Sequence, residues 1–350
     1  TVSLLISFVI IGGVGAFFVE EIALFLGANE DTFSYTVEYL FILFLFGWVI
    51  AFQELVSIFV RNDGSPTLSM ISLGVTAIIN IALNYYMIFI LQLGVLGAAI
   101  ATVLASFIGL LVLLFHFFQK YSNLRTFSFD WSRSMLRSIF FIGFPSFITE
   151  GGMLVFVASY NLTIASLLGT EGVAAFSVIN YLHGFMFLSF FGIETALQPM
   201  ISYYHGAKEK NRMKATLKIG EKTSFILGAT LLIVGVVAAP YLVSLFGVES
   251  ENVRALATEG IRLFFIGYVF IGFNFVYMTY FQSIGRIRQS TTIVLLRSYI
   301  LLIILLWVLP PIIGVAGVWL AFPIAEISVA LIVFFFARKK KSAAFGEPKP

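Results

Sequence analysis

The sequence contains no cysteine and only three histidines in 350 residues. The first absence excludes disulfides, thiolate nucleophiles and cysteine metal sites. The second, with no HExxH-like spacing, leaves little for metal-assisted hydrolysis or an intramembrane enzyme. Charge is scarce as well, at 11% Asp, Glu, Lys and Arg, against about 25% in a soluble domain. The longest polar interruption, Gln119 to Arg137, is too short to fold as a soluble domain. A net charge of +3 gathered in loops gives nucleic acid no basic face to follow. What is abundant is apolar: 60% of residues are hydrophobic and 40 are Phe. Such a chain needs lipid on its outside.

Crossing a hydrocarbon core of about 30 Å takes roughly 20 apolar residues in a helix. Ten stretches meet that length: Val2 to Val19, Thr36 to Val60, Thr67 to Phe89, Val95 to Phe118, Ser138 to Leu168, Val173 to Met200, Thr223 to Phe246, Ile261 to Ser283, Thr291 to Leu309 and Gly314 to Phe336. They are apolar on both parities, which argues for helices and against an alternating β-barrel. With the connections placed alternately on two sides, every Lys and Arg except Arg254, Arg262 and Arg297 falls on one side. The positive-inside rule makes that side cytoplasmic, so both visible ends are expected in the cytoplasm of a multi-pass cell-membrane protein.

The two halves resemble each other at a shift of 220 to 221 residues. Gly27, Gly47, Gly64, Gly94 and Gly97 recur as Gly247, Gly267, Gly285, Gly314 and Gly317, and Ala101 and Ala105 as Ala321 and Ala325. A repeat of this length means a duplicated bundle. The second copy, from Ser138, has six spans and the first has four, so two helices are expected upstream of Thr1. The fold expected is all-α and polytopic, with two parallel six-helix repeats related by a pseudo-twofold axis along the membrane normal. Residues 1–120 form the N-terminal lobe, 121–137 a cytoplasmic linker, 138–338 the C-terminal lobe and 339–350 a basic cytoplasmic tail.

FVRNDGSP from Phe59, NIALNYYMIF from Asn80, LGAAIATV from Leu96, GFPSFITEG from Gly143 and QPMISYYHGAK from Gln198 occur in order across both repeats. Together they resemble the multidrug and toxic compound extrusion (MATE) transporters, from the third to the twelfth helix of that family's pattern. The resemblance implies a secondary antiporter that exports cationic or amphipathic organic compounds in exchange for protons or sodium ions by alternating access, without a cofactor and as a monomer. A flippase for lipid-linked saccharides shares this architecture, but its basic cavity has only Arg262 and Arg297 to draw on here.

Carboxylates inside spans are costly and therefore candidates: Glu54, Glu150, Glu194 and Glu326. Pro145 should kink the helix below Glu150 and free carbonyl oxygens beside it, a setting for a proton or a sodium ion. The family's coupling Glu commonly lies three residues further on, where Met153 stands here. Coupling and structural hydrogen bonding both remain open for Glu150. Glu194 sits near a cytoplasmic helix end, Glu326 is expected to pair with Arg297, and Glu54 matches Asn274 across the repeat, so that both are expected to face the central cleft. Asn80 and Asn84 share one helix face; the resemblance places them in a polar network of the first half, with Asn84 where many relatives carry Asp. Asn180, Tyr181 and His183 on one span, and Asn274, Tyr277 and Tyr280 on another, complete the candidates. A lone His such as His183 is more often a hydrogen-bonded packing residue than a proton carrier.

Overall fold

The structure is a computed structural model that describes residues 2–25, 28, 32–119, 122 and 133–339. Most of the expected linker and tail, with Lys120, Arg125 and Lys340 onward, lies outside the described residues, as does Gly27. Within the described residues the secondary structure is helical, with no strand. This follows from the composition: in lipid each backbone N–H and C=O must find its partner within its own segment. The chain divides into two compact units, 1–130 and 131–350.

The first unit contains α1 (Val2–Phe17), α2 (Val19–Phe25), α3 (Phe33–Asn62), α4 (Pro66–Tyr85) and α5 (Gly94–Leu114). Pro66 stands in the first turn of α4, where its missing N–H costs nothing. A π turn, Tyr86–Ile90, extends α4, and a 3-10 turn, Phe115–Phe118, extends α5. The second unit contains α6 (Arg133–Gly206), α7 (Lys210–Ser244), α8 (Glu251–Phe264), α9 (Tyr268–Ser283), α10 (Ile287–Leu295), α11 (Leu301–Ile313) and α12 (Val315–Lys339). A 3-10 turn, Phe265–Gly267, joins α8 to α9, and a π turn, Leu296–Ile300, joins α10 to α11.

Helix α6 is 74 residues long, far more than one crossing needs. It is a hairpin. Gly169 has φ 60° and ψ −150°, a conformation essentially restricted to glycine. Across it Tyr160 stacks on Phe176 at 4.9 Å and Phe156 on His183 at 4.8 Å. A straight helix would hold Phe156 and His183 about 40 Å apart, so the arms 133–168 and 170–206 run antiparallel. They correspond to the fifth and sixth spans expected from hydropathy. Among the described residues eight helical runs are long and apolar enough to cross a membrane, with this hairpin taken as one run; α1, with 16 residues, is not one of them.

The duplication shows in the element bounds. Shifted by 220 to 221 residues, α3 falls on α8 with α9, α4 with its π turn on α10 with α11, and α5 with its 3-10 turn on α12. In the second unit α7 lies close against α9, because Gly228 and Gly235 leave room where a Cβ would meet the backbone of Tyr268 and the ring of Phe265. Small residues serve the same purpose wherever helices pack inside lipid.

Candidate functional site

The interior of the second unit holds a charge cluster. Arg297, on the π turn after α10, donates from Nε and Nη2 to Glu326 Oε1 on α12, both at 3.0 Å. Asn274 of α9 donates from Nδ2 to Glu326 Oε2 at 2.7 Å and to the Glu326 carbonyl at 3.0 Å. The guanidinium lies 4.4 Å from the Phe275 ring centre, a cation–π contact. Arg297 and Glu326 are both buried. Ion pairs survive such burial only when further hydrogen bonds satisfy them, and Asn274 supplies these to the carboxylate. The π turn has a role here: its extra residue per turn turns Arg297 toward α12, and π bulges recur at functional positions for this reason.

Two further carboxylates approach this pair. Glu194, half-buried on the second arm of α6, lies within electrostatic reach of Arg297 and of Glu150 on the first arm, with Thr279 of α9 beside it. The hairpin at Gly169 is what brings both arms to one side of α9. Glu150 itself is exposed at the surface of the helices. The carbonyls expected to be free around it are taken. Thr149 donates to the Pro145 carbonyl and Tyr299 to that of Ile148, both at 2.8 Å. Gln282 donates to the Ile142 carbonyl at 3.0 Å. Side chains from α9 and the π turn thus dock on backbone carbonyls on either side of Pro145.

Other expectations require correction. Glu54 does not match Asn274 in environment: Glu54 is exposed, while Asn274 is fully buried and holds Glu326 in place. The buried polar residue at that depth of α3 is Gln53, which donates to Thr76 Oγ1 at 2.7 Å. Thr76 in turn donates to the Ser72 carbonyl, and the Ser72 hydroxyl to that of Gly109. At a shift of 221, Gln53 and Thr76 correspond to Asn274 and Arg297. Each unit therefore has polar residues at these equivalent positions, neutral in the first and charged in the second.

Asn84 donates to Asn80 Oδ1 at 3.0 Å and Asn80 to Thr102 at 3.3 Å, a half-buried chain directly before the π turn Tyr86–Ile90. Asn180 is half-buried, and Tyr181 is 70% exposed and stacks on Phe246. His183 points the other way, into a box of Phe156, Phe264, Tyr268 and Phe322, with Nδ1 3.0 Å from the Tyr268 hydroxyl. These three residues therefore form no single site. Tyr277 donates to Glu221 on α7 at 2.6 Å, and Tyr280 is buried next to it. Neither Gln53 nor Glu221 stands out in the sequence: a Gln beside a Glu attracts less notice, and Glu221 sits among the lysines of a loop-like stretch. Among the described residues no cluster of three or more metal-ligating side chains occurs.

The model of the MatE family matches residues 1–86 and 145–308. The chain belongs to the MatE family. Among curated MatE relatives, the multidrug export protein MepA of Staphylococcus saprophyticus is 28% identical over 318 residues, covering 90% of this chain and 69% of that protein. MepA of Staphylococcus haemolyticus is 29% identical over 326 residues, covering 91% and 70%. Among solved structures, the outward-facing form of a multidrug resistance MATE family transporter superposes with a TM-score of 0.91 at 22% identity, over 98% of this chain and 77% of the other. A MOP superfamily transporter from Pyrococcus furiosus gives 0.90 at 22% identity, over 99% and 78%. Membership of the MatE family, with curated relatives that are multidrug export proteins, places this chain among multi-pass membrane transporters and not among enzymes.

Proposed function

We propose that the chain is an ion-coupled exporter of cationic or amphipathic organic compounds, working by alternating access with both visible ends in the cytoplasm. The observation that carries the reading is the charge balance of the membrane-embedded cluster. Arg297 is already bound to Glu326, Glu194 lies within its electrostatic reach, and Glu150, itself exposed, lies within reach of Glu194. Two carboxylates therefore have no ion pair of their own among the described residues, on spans where an uncompensated charge is costly. A proton, a sodium ion or an organic cation relieves that cost equally well, and only one of them can do so at a given carboxylate. Mutual exclusion of this kind is the thermodynamic basis of exchange. The identity of the curated MepA relatives as multidrug export proteins supports the same substrate class.

The charge pattern disfavours a saccharide-lipid flippase. Arg297 is neutralised by Glu326, and Arg262 is exposed on α8 next to Glu259 and Arg254. No basic wall is left within the second unit for a polyanionic head group. A planar aromatic cation such as ethidium is the suitable probe. In everted membrane vesicles containing the protein, an imposed proton or sodium gradient should drive ethidium uptake, and collapse of both gradients should stop it. Uptake that continues unchanged after both gradients are collapsed would overturn the exchange.

A further inference from the structure

A groove of about 170 Å³ runs between α10 and α12, away from the charge cluster. Its floor is Phe281 of α9, and its walls are Ile293 and Leu296 on one side and Val329 and Val333 on the other. The lining changes character along its length. At one end stand Arg288, Gln289 and Thr292, all from the first two turns of α10; the remainder, including everything from α12, is apolar. The volume is below the roughly 300–1,000 Å³ of a site for a drug-sized ligand. It suits a length of hydrocarbon with a polar group at one end.

The polar end is cationic. Arg288 is exposed and, among the described residues, has no carboxylate within salt-bridge distance. The Thr292 hydroxyl already donates to the Arg288 carbonyl at 2.8 Å, which leaves Arg288 and Gln289 as the donors. Directly before α10, Arg286 keeps one guanidinium nitrogen, Nη1, buried without a hydrogen-bond partner. The start of α10 has no side-chain cap, and a helix start favours negative charge. In the sequence α12 leads into the basic run Arg338, Lys339, Lys340, Lys341. In the proposed orientation this end faces the cytoplasmic leaflet, whose anionic lipids draw basic segments.

We propose that this groove binds one anionic phospholipid of the cytoplasmic leaflet, with its phosphate on Arg288 and Gln289 and one acyl chain laid between α10 and α12. The assignment of leaflet rests on the proposed orientation; the binding itself does not. The lipid would have a mechanical consequence, because α10 leads directly into the π turn that carries Arg297, and α12 carries Glu326. A chain seated between these helices holds together the two elements that the ion pair joins.

The test is a lipid count by native mass spectrometry on the protein purified in detergent. Phosphatidylglycerol and phosphatidylcholine of identical acyl chains are titrated separately. One phosphatidylglycerol should be retained at least about fivefold more tightly than phosphatidylcholine, the scale of one basic residue near a lipid surface. Arg288→Gln should remove that preference, and Ile332→Trp, which fills the rim of the groove, should lower retention of both lipids. Circular dichroism of each variant confirms that the helices remain. Equal retention of the two lipids by the unaltered protein would overturn the proposal, as would a preference that both variants leave intact. Displacement by inorganic phosphate at matched concentration would also overturn it, since a free anion would then be the ligand. Labelling of a cysteine placed at Gly285 from the outside would refute the orientation while leaving the lipid count to stand or fall alone.

Discussion

Arg297 directs two of its nitrogens to a single oxygen of Glu326, and Asn274 takes the other oxygen. The carboxylate of α12 is thereby held from α9 and from the π turn at once. Removing one member strands the other in a medium that cannot solvate it, at a cost of about 3–5 kcal/mol. Arg297→Met and Glu326→Leu should each lower the thermal midpoint markedly in detergent. The double variant should recover most of the loss, since an apolar pair of similar volume is often neutral. A double variant no better than the worse single would show that the pair does not act as a unit.

On the proposed function, Glu194 and Glu150 are the carboxylates that take up the coupling ion. Glu194→Gln should reduce gradient-driven ethidium uptake by roughly tenfold or more, as one lost coupling of about 1.4 kcal/mol requires, with little change in thermal midpoint. Glu150→Gln should do the same if the two carboxylates share the ion. Transport at the original rate in Glu194→Gln would remove that residue from the coupling step.

Gly169 closes the α6 hairpin in a conformation that side chains avoid, although no atom lies within 4 Å of the Cβ position. Gly169→Ala should therefore destabilise by about 1–3 kcal/mol through the backbone alone. Gly184, in the same helix, is equally open but has no positive φ. Gly184→Ala is expected to be neutral or slightly stabilising. Thermal unfolding of the two variants separates backbone strain from crowding.

Gln53 and Glu54 are neighbours with opposite surroundings. Gln53→Leu removes a hydrogen bond between buried side chains and should cost about 1 kcal/mol. Glu54→Gln, on the exposed side of α3, should leave the unfolding midpoint unchanged. If Glu54→Gln instead proves the more destabilising, the polar layer of the first unit has been misplaced by one residue.

That pair also marks where the sequence stops being readable. Helix positions follow from hydropathy because lipid enforces them, and the Arg297–Glu326 pair follows because two opposite charges in adjacent spans have few other partners. The depth of Gln53 does not follow. The repeat shifts from 220 to 221 residues between Gly47 and Gly64, and one residue turns a helix face by 100°, enough to exchange Gln53 for Glu54. The π turns are hidden for a related reason: they are slips in hydrogen-bond register, and apolar residues accept either register. Glu194 looked interfacial because it lies near the end of an apolar run. The second arm of α6 continues to Gly206, so Glu194 stands twelve residues before the helix ends.

The reversal at Gly169 is made by one residue, with helix on both sides. There is no loop to take up slack, so neither arm can slide along the other by even one turn unless that residue changes its backbone angles. Whatever rearrangement the second unit undergoes, Glu150 and Glu194 travel together, carried on what is mechanically a single lever.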